Sequence, residues 1–194
     1  MPNEDTIRQL IKRTKRGDAE AIAQIYQLYV ERIYRYVVYR VGSETDAEDL
    51  TAEVFVRMVE SLPRYKDTGA PFDAWLFRIA SARIADFHRQ QGRRPVADLT
   101  DGIEDSEPQP EEQLLQRQEE TELRNGLSQL SKDDQKVLLL RFVERKSHQE
   151  VAVILNKSVA AVKSIQHRAL VRLAVLLGSE EKVRHYLRGR DDQK

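Results

Sequence analysis

The chain has 194 residues, 33% of them charged, and its 32 basic residues balance 32 acidic ones. That length allows one or two domains; the absence of Cys excludes disulfides and thiolate metal sites and suits a reducing cytoplasm. No stretch approaches the ~18 apolar residues of a membrane span, and MPNEDTIRQL lacks a signal-peptide core.

The first block reads as helices throughout. Ile7, Leu10, Ile11 and Thr14 share one face of a short helix over about 6–16, which Gly17 ends. Asp18 caps a long helix to Val41, with Ile22, Ile25, Tyr26, Tyr29, Ile33, Tyr36 and Val37 at helical spacing, and Gly42 closes it. Thr45 and Glu48 predict a capping box for the third helix, whose Asp46, Glu48 and Asp49 also suit the helix dipole. Its buried stripe is Leu50, Val54, Met58 and Leu62, and Pro63 stops it. A loop, PRYKDTGAP, precedes a last helix over 72–91 with Phe72, Trp75, Leu76, Ile79 and Phe87 inward. No β alternation is visible.

The neutral total hides an asymmetry. Residues 1–94 carry +2, 95–122 carry −9 and 123–194 carry +7. The middle segment contains Pro95, Pro108, Pro110 and Gly102 and few large apolar residues, which predicts a flexible acidic linker and a domain boundary. The basic C-terminal part suits a polyanion.

Within that part, HQEVAVILNKSVAAVKSIQHRAL over 148–170 predicts a helix-turn-helix. Ala152 is small where two helices approach, and Asn156 falls at the turn, where a left-handed backbone is needed. Ser147 with Glu150 forms a capping box, Ser158 caps the second helix, and Val162 and Ile165 pack back on the first. Lys163, Ser164, Gln166, His167 and Arg168 lie on the outer face, and such a helix fits the B-DNA major groove. A plain helical hairpin would explain the turn but not the exposed polarity.

Catalytic constellations are missing. Asp49 and Glu53 share a face, and Glu48 is near, but no companion carboxylate or His set completes a metal cluster. His88, His148, His167 and His185 lack ligand spacing, and no phosphate loop, GxSxG or HExxH occurs. The residues predict a non-enzyme with no cofactor and no metal.

Two blocks carry a family resemblance. GDAEAIAQIYQLYVERIYRYVVYRVG, DAEDLTAEVFVRM, FDAWLFRIA and ADFHR resemble region two of bacterial sigma factors of the sigma-70 family, extracytoplasmic function (ECF) type. The string from LSQLSKDDQ to RALVRL resembles region four of the same family. The resemblance implies an all-α chain of two small helical domains: region two over 1–94, an acidic linker over 95–112, region four over 113–178 and a short basic tail over 179–194. It also implies core RNA polymerase as partner, through the β′ clamp helices and β flap, together with promoter DNA and an anti-sigma factor.

Roles follow by the same resemblance. Asp46, Asp49, Leu50, Glu53 and Phe55 occupy the positions that dock on the β′ clamp helices; capping alone would explain only part of that acidity. Tyr65, Lys66, Arg83, Arg89, Arg93 and Arg94 fall in the part that captures the −10 element. An aromatic surface for an extruded base and a basic track for the backbone are what strand capture requires. Trp75 reads as core. Family members commonly carry Asn where this chain has Ala82, so any base contact from that side chain is missing here. Lys163, Ser164, His167 and Arg168 match the positions that meet the −35 element, although a solvated helical His explains His167 equally well. The alternative function is a stand-alone helix-turn-helix regulator, which would bind a palindrome as a dimer without polymerase.

Overall fold

Apolar periodicity and end signals set the helix boundaries in the computed structural model, which describes residues 3–91, 121–179, 181 and 183. Helix α1 (Glu4–Thr14) begins two residues earlier than the periodicity predicted, because Asn3 Oδ1 accepts from the Thr6 amide at 2.8 Å. It buries Ile7, Leu10, Ile11 and Thr14. Helix α2 (Ala19–Val41) is capped by Asp18, which accepts from the Glu20 and Ala21 amides, and closed by Gly42 at φ 81°. Helix α3 (Glu44–Ser61) is capped by Ser43, not Thr45. Ser43 stands one residue before the first helical turn, so its oxygen reaches the Asp46 amide, and the expected Thr45–Glu48 box does not form. A 3₁₀ turn (Leu62–Arg64) carries Pro63 at its start. Helix α4 spans Phe72–Gln91, as the sequence predicted.

These helices close on a core whose largest fully buried side chains include Ile25, Ile33, Tyr36, Met58, Phe77 and Ile84. Tyr36 meets Phe77 edge-on with ring centroids 5.3 Å apart, and its hydroxyl lies 2.9 Å from Ser81 Oγ. The polar end of a buried aromatic is thereby satisfied. Tyr26, expected inward, is 45% exposed; it sits at the rim of α2 against Phe55 of α3.

In the second half residues 121–128 are helical and form α5. They are followed by α6 (Lys132–Leu138), a π segment (Leu139–Val143), α7 (His148–Leu155) and α8 (Val159–Leu176). Among the described residues there are no strands, so the chain is all-α. The helix-turn-helix forms as read: Asn156 adopts φ 51° and ψ 50°, Ser147 and Glu150 complete the capping box, and Ser158 accepts from Ala161. Val162 and Ile165 are buried.

The capping box gives a modest test. Replacing Ser147 with Ala should lower stability by ~1 kcal/mol, read as a reduced melting temperature. Acid should remove the other half of the box. Burial raises the Glu150 pKa, but its bonds to the Ser147 backbone and to Lys146 outweigh burial and hold it below the ordinary 4.5. Its contribution is therefore present above the unfolded value and is lost as pH falls through the depressed folded value. Thermal melts from pH 7 down to 3 should show wild type and Ser147→Ala losing stability in parallel, because Glu150 keeps the Ser147 backbone N–H and Lys146 in both, whereas Glu150→Gln should lose less.

Candidate nucleic-acid interface

Helix α8 presents Lys163, Ser164, His167 and Arg168 to solvent, while Val162, Ile165 and Ala169 fix its inner face. The fifth residue expected outside, Gln166, is half-buried. Its Oε1 accepts from Arg141 Nε at 3.0 Å and lies 2.9 Å from His148 Nε2. Gln166 therefore braces α8 against α7 and the π segment through its Oε1. A sequence reading of the outer face could not show this, because both partners lie outside α8.

The loop after α3 builds a second concave surface. Tyr65 packs on Phe72 at 5.6 Å and on Trp75 at 4.8 Å, and Phe72 meets Trp75 at 5.4 Å between centroids. Beside them lies a cavity of about 160 Å³ whose lining includes Arg8, Tyr29, Tyr65, Asp67, Gly69 and Phe72. Gly69 adopts φ 78° and its amide donates to Asp67 Oδ1 at 3.0 Å, so the loop turns tightly over the cavity. Arg8 of α1 reaches the same carboxylate at 3.2 Å. Burial first, and then the Asp73 charge, push the Tyr29 phenol up to about 12. Trp75 is half-buried within this cluster, in keeping with its place on the apolar stripe.

The expected basic track is only partly free. Lys66 is exposed. Arg83 is tied to Glu53 at 2.6 Å and Asp86 at 3.3 Å, and Arg89 is bonded to Asp86. Lys15, which the sequence reading missed, donates to the Tyr65 carbonyl at 2.6 Å and lies over the Tyr65 ring. Arg93, Arg94, the linker over 95–112 and most of the 179–194 tail lie outside the described residues. Ala82 is exposed on α4.

A third surface runs along α3. Asp49 and Glu53 are exposed and Asp46 is half-exposed. Leu50 and Phe55 are only 5% and 6% exposed. Phe55, expected among the docking residues and not on the stripe of Leu50, Val54, Met58 and Leu62, is thus buried with them: its ring packs edge-on against Tyr26 with centroids 4.8 Å apart. Leu50 and Phe55 support the helix from beneath and have little surface to give a partner. The apolar residues that do face outward are Val56 and Val59, at 59% and 38% exposed. With Tyr26 and Phe55 they line an open, almost wholly apolar depression. The signal was present in the sequence, since Val56 follows Asp49 and Glu53 at helical spacing.

Among the described residues the chain is all helical, with a helix-turn-helix in its second half and an aromatic-lined loop in its first. The family models for Sigma-70 region 2 and Sigma-70, region 4 match residues 25–94 and 120–173. Relatives include the ECF RNA polymerase sigma factor BldN of Streptomyces coelicolor, 34% identical over 172 residues, covering 87% of this chain and 65% of that protein. SigD of Mycobacterium tuberculosis is 33% identical over 164 residues, covering 81% of this chain and 77% of SigD. ShbA of Streptomyces griseus is 34% identical over 178 residues, covering 86% of this chain and 93% of ShbA. The solved structure of CnrH in complex with the cytosolic domain of CnrY superposes with a TM-score of 0.69 at 25% identity, covering 88% of this chain and 96% of that one. The chain belongs to the ECF RNA polymerase sigma factors.

Proposed function

We propose that this chain binds core RNA polymerase, carries it to promoters with two separate elements, and helps open the DNA there. The observation that carries the reading is the coexistence, in one chain, of an exposed recognition-helix face and a loop cavity floored by aromatic rings. The first suits base edges in duplex DNA. The second suits a single extruded base, which stacks on an aromatic face and is held by polar atoms.

The division of labour follows the three surfaces. Lys163, Ser164, His167 and Arg168 meet the −35 element, with Gln166 as their brace. Tyr65, Lys66 and the cavity beside them receive the −10 strand. The Asp49, Glu53 and Val56 face of α3 takes the β′ clamp helices, and region four takes the β flap. The chain contributes recognition and strand capture, and polymerase performs the chemistry. Domain limits at 94 and 113, a cytoplasmic location and an anti-sigma partner belong to the same reading. CnrH supports the last of these, since it is seen bound to the cytosolic domain of CnrY. Among the described residues no helix is long and apolar enough to cross a membrane.

Run-off transcription with purified core polymerase tests the whole. Added chain should give a promoter-specific transcript and a footprint that requires polymerase. A tight footprint on a palindrome without polymerase would overturn the reading in favour of a stand-alone regulator.

The cavity makes its own prediction. Tyr65→Ala should reduce open-complex formation about 5- to 150-fold, since stacking on an aromatic contributes ~1–3 kcal/mol per base. Permanganate reactivity of unpaired thymines near −10 would report it, and unchanged reactivity would remove Tyr65 from the capture site.

A further inference from the structure

The loop between α3 and α4 has little of its own to hold it in shape. Lys66, Asp67, Thr68 and Gly69 are exposed, and Tyr65 and Ala70 are half-buried at its ends. Holding such a segment in one conformation costs backbone entropy that no buried side chain over 66–69 offsets.

Helix α1 supplies what the loop lacks. Arg8 Nε donates to Asp67 Oδ2 at 3.2 Å. Lys15, at the C-cap of α1, donates to the Tyr65 carbonyl at 2.6 Å and lies 5.7 Å from the centre of the Tyr65 ring. Among the described residues, these two are the hydrogen bonds that reach residues 65–70 from outside the loop and the turn before it. Arg8 and Lys15 are seven residues apart, about two helical turns, so both fall on one side of α1.

Each tie fixes a different feature. Asp67 accepts from the Gly69 amide with one oxygen and from Arg8 with the other, so the tight turn at Gly69 is anchored to α1. The Gly69 amide first, and then Arg8 against the effect of burial, hold the Asp67 carboxyl below its ordinary pKa of 3.8. Tyr65 has its amide on the Leu62 carbonyl at 3.0 Å and its carbonyl on Lys15, so both of its backbone polar groups are held. Its ring is thereby set from the backbone side, while Phe72 and Trp75 set it from the core.

Helix α1 has no need of these contacts for its own sake. Ile7, Leu10, Ile11 and Thr14 already bury its inner face, and it packs on α2. Arg8 and Asp67 are each 49% exposed, and ion pairs in such positions add little to the stability of a whole domain. What they change is the population of one loop conformation. Helix α1 also walls the cavity, which Glu4, Ile7, Arg8 and Ile11 line together with Tyr65. It lies ahead of residues 25–94, the stretch that matches the region 2 family model.

We propose that Arg8 and Lys15 are positioning residues for strand capture: from α1 they hold residues 65–69 in the shape that keeps the Tyr65 ring ready to stack an extruded base. The proposal rests on the capture function assigned above to Tyr65 and its cavity. Neither side chain needs to touch DNA. A preset stacking surface avoids ordering the loop at the moment the base arrives, so its loss slows opening.

The test uses holoenzyme made with the full chain. Arg8→Met and Lys15→Met keep the apolar stems and remove the charges. Together they should slow open-complex formation about tenfold, read by permanganate reactivity near −10. The melting temperature and the salt dependence of initial duplex binding should stay those of wild type, because no phosphate contact is lost. Arg8→Lys with Lys15→Arg, which retains both donors, should keep most of the rate. In the free chain the Gly69 amide should exchange hydrogen several-fold faster in Arg8→Met than in wild type. In a Tyr65→Ala background the two Met changes should add less than about twofold, since residues that act through one ring are not additive.

Normal opening by the double Met variant, alongside an impaired Tyr65→Ala, overturns the positioning role. So does a full loss on top of Tyr65→Ala, which places the effect elsewhere. A shallower salt dependence overturns it too, because the two cations would then be phosphate contacts. Tyr65→Ala that opens promoters as fast as wild type would instead sink the capture reading, and this proposal with it, so the two failures are distinguishable.

Discussion

Asp49→Arg combined with Val56→Glu is expected to abolish retention of core RNA polymerase while leaving the helical fold intact. Both residues are exposed on α3, with Val56 at 59%. Neither caps the helix, which Ser43 does, so the substitutions remove nothing that the fold uses. Surface changes of this kind usually alter stability by no more than about 0.5 kcal/mol. An interface would respond very differently. A reversed charge meets like charge across the contact, and a carboxylate placed in an apolar contact must be desolvated without a partner. Central interface residues commonly cost at least ~2 kcal/mol each, so the pair should weaken binding by roughly a thousandfold. Glu53 is a poorer choice than the sequence suggested. Its carboxylate holds Arg83 at 2.6 Å, so reversing it would also disturb α4. A pull-down reads the partner and circular dichroism the fold; normal retention by the folded double variant would remove α3 from the polymerase interface.

What the sequence could reveal is set by distance along the chain. Asn156, Ser147, Ser158 and Gly42 act on neighbours within one helical turn, and each was readable because its partner sits at a fixed offset. The start of helix α4 at Phe72 was readable from the break at Pro71 and the apolar spacing that follows. The misplaced cap at Thr45 shows the limit: Ser43 and Thr45 are both good caps, and only the turn leaving Gly42 decides between them. Side chains that choose between core and surface at a helix edge were harder. Tyr26 and Phe55 meet at the edge of the α2–α3 contact, where one is 45% exposed and the other 6%. The interactions that shape the candidate sites were not readable at all. Gln166 finds Arg141 25 residues away, and Arg32 finds Glu144 at 112. No periodicity encodes such pairs. The π segment that positions Glu144 and Lys146 also leaves no mark, since LLRFV reads simply as the end of a helix.

The recognition helix should show the second large effect. Lys163 and Arg168 are exposed on α8, and no ion pair holds either among the described residues. The neighbouring cations Lys157 and Arg172 are engaged, with Asp133 at 2.9 Å and Asp134 at 2.6 Å. Free cations on a reading face are the ones available to guanine edges or phosphates. Each should contribute about 1–3 kcal/mol if it reads a base, so Lys163→Ala with Arg168→Ala should weaken −35 binding by roughly thirtyfold or more. The helix itself should tolerate both changes, because Ala is the best helix former and the inner face of Val162, Ile165 and Ala169 is untouched. Two further measurements separate reading from simple attraction. A base-reading residue relaxes discrimination at one promoter position, whereas a phosphate contact weakens all sequences alike and reduces the salt dependence of binding by about one unit of slope. Binding of holoenzyme to promoter variants at several salt concentrations would assign each side chain to one role. Gln166→Ala serves as the contrast. It loses the bonds to Arg141 and His148, so it should loosen the helix and weaken every sequence without shifting preference. If the double variant transcribes like wild type from the native promoter, α8 is not the element that reads −35.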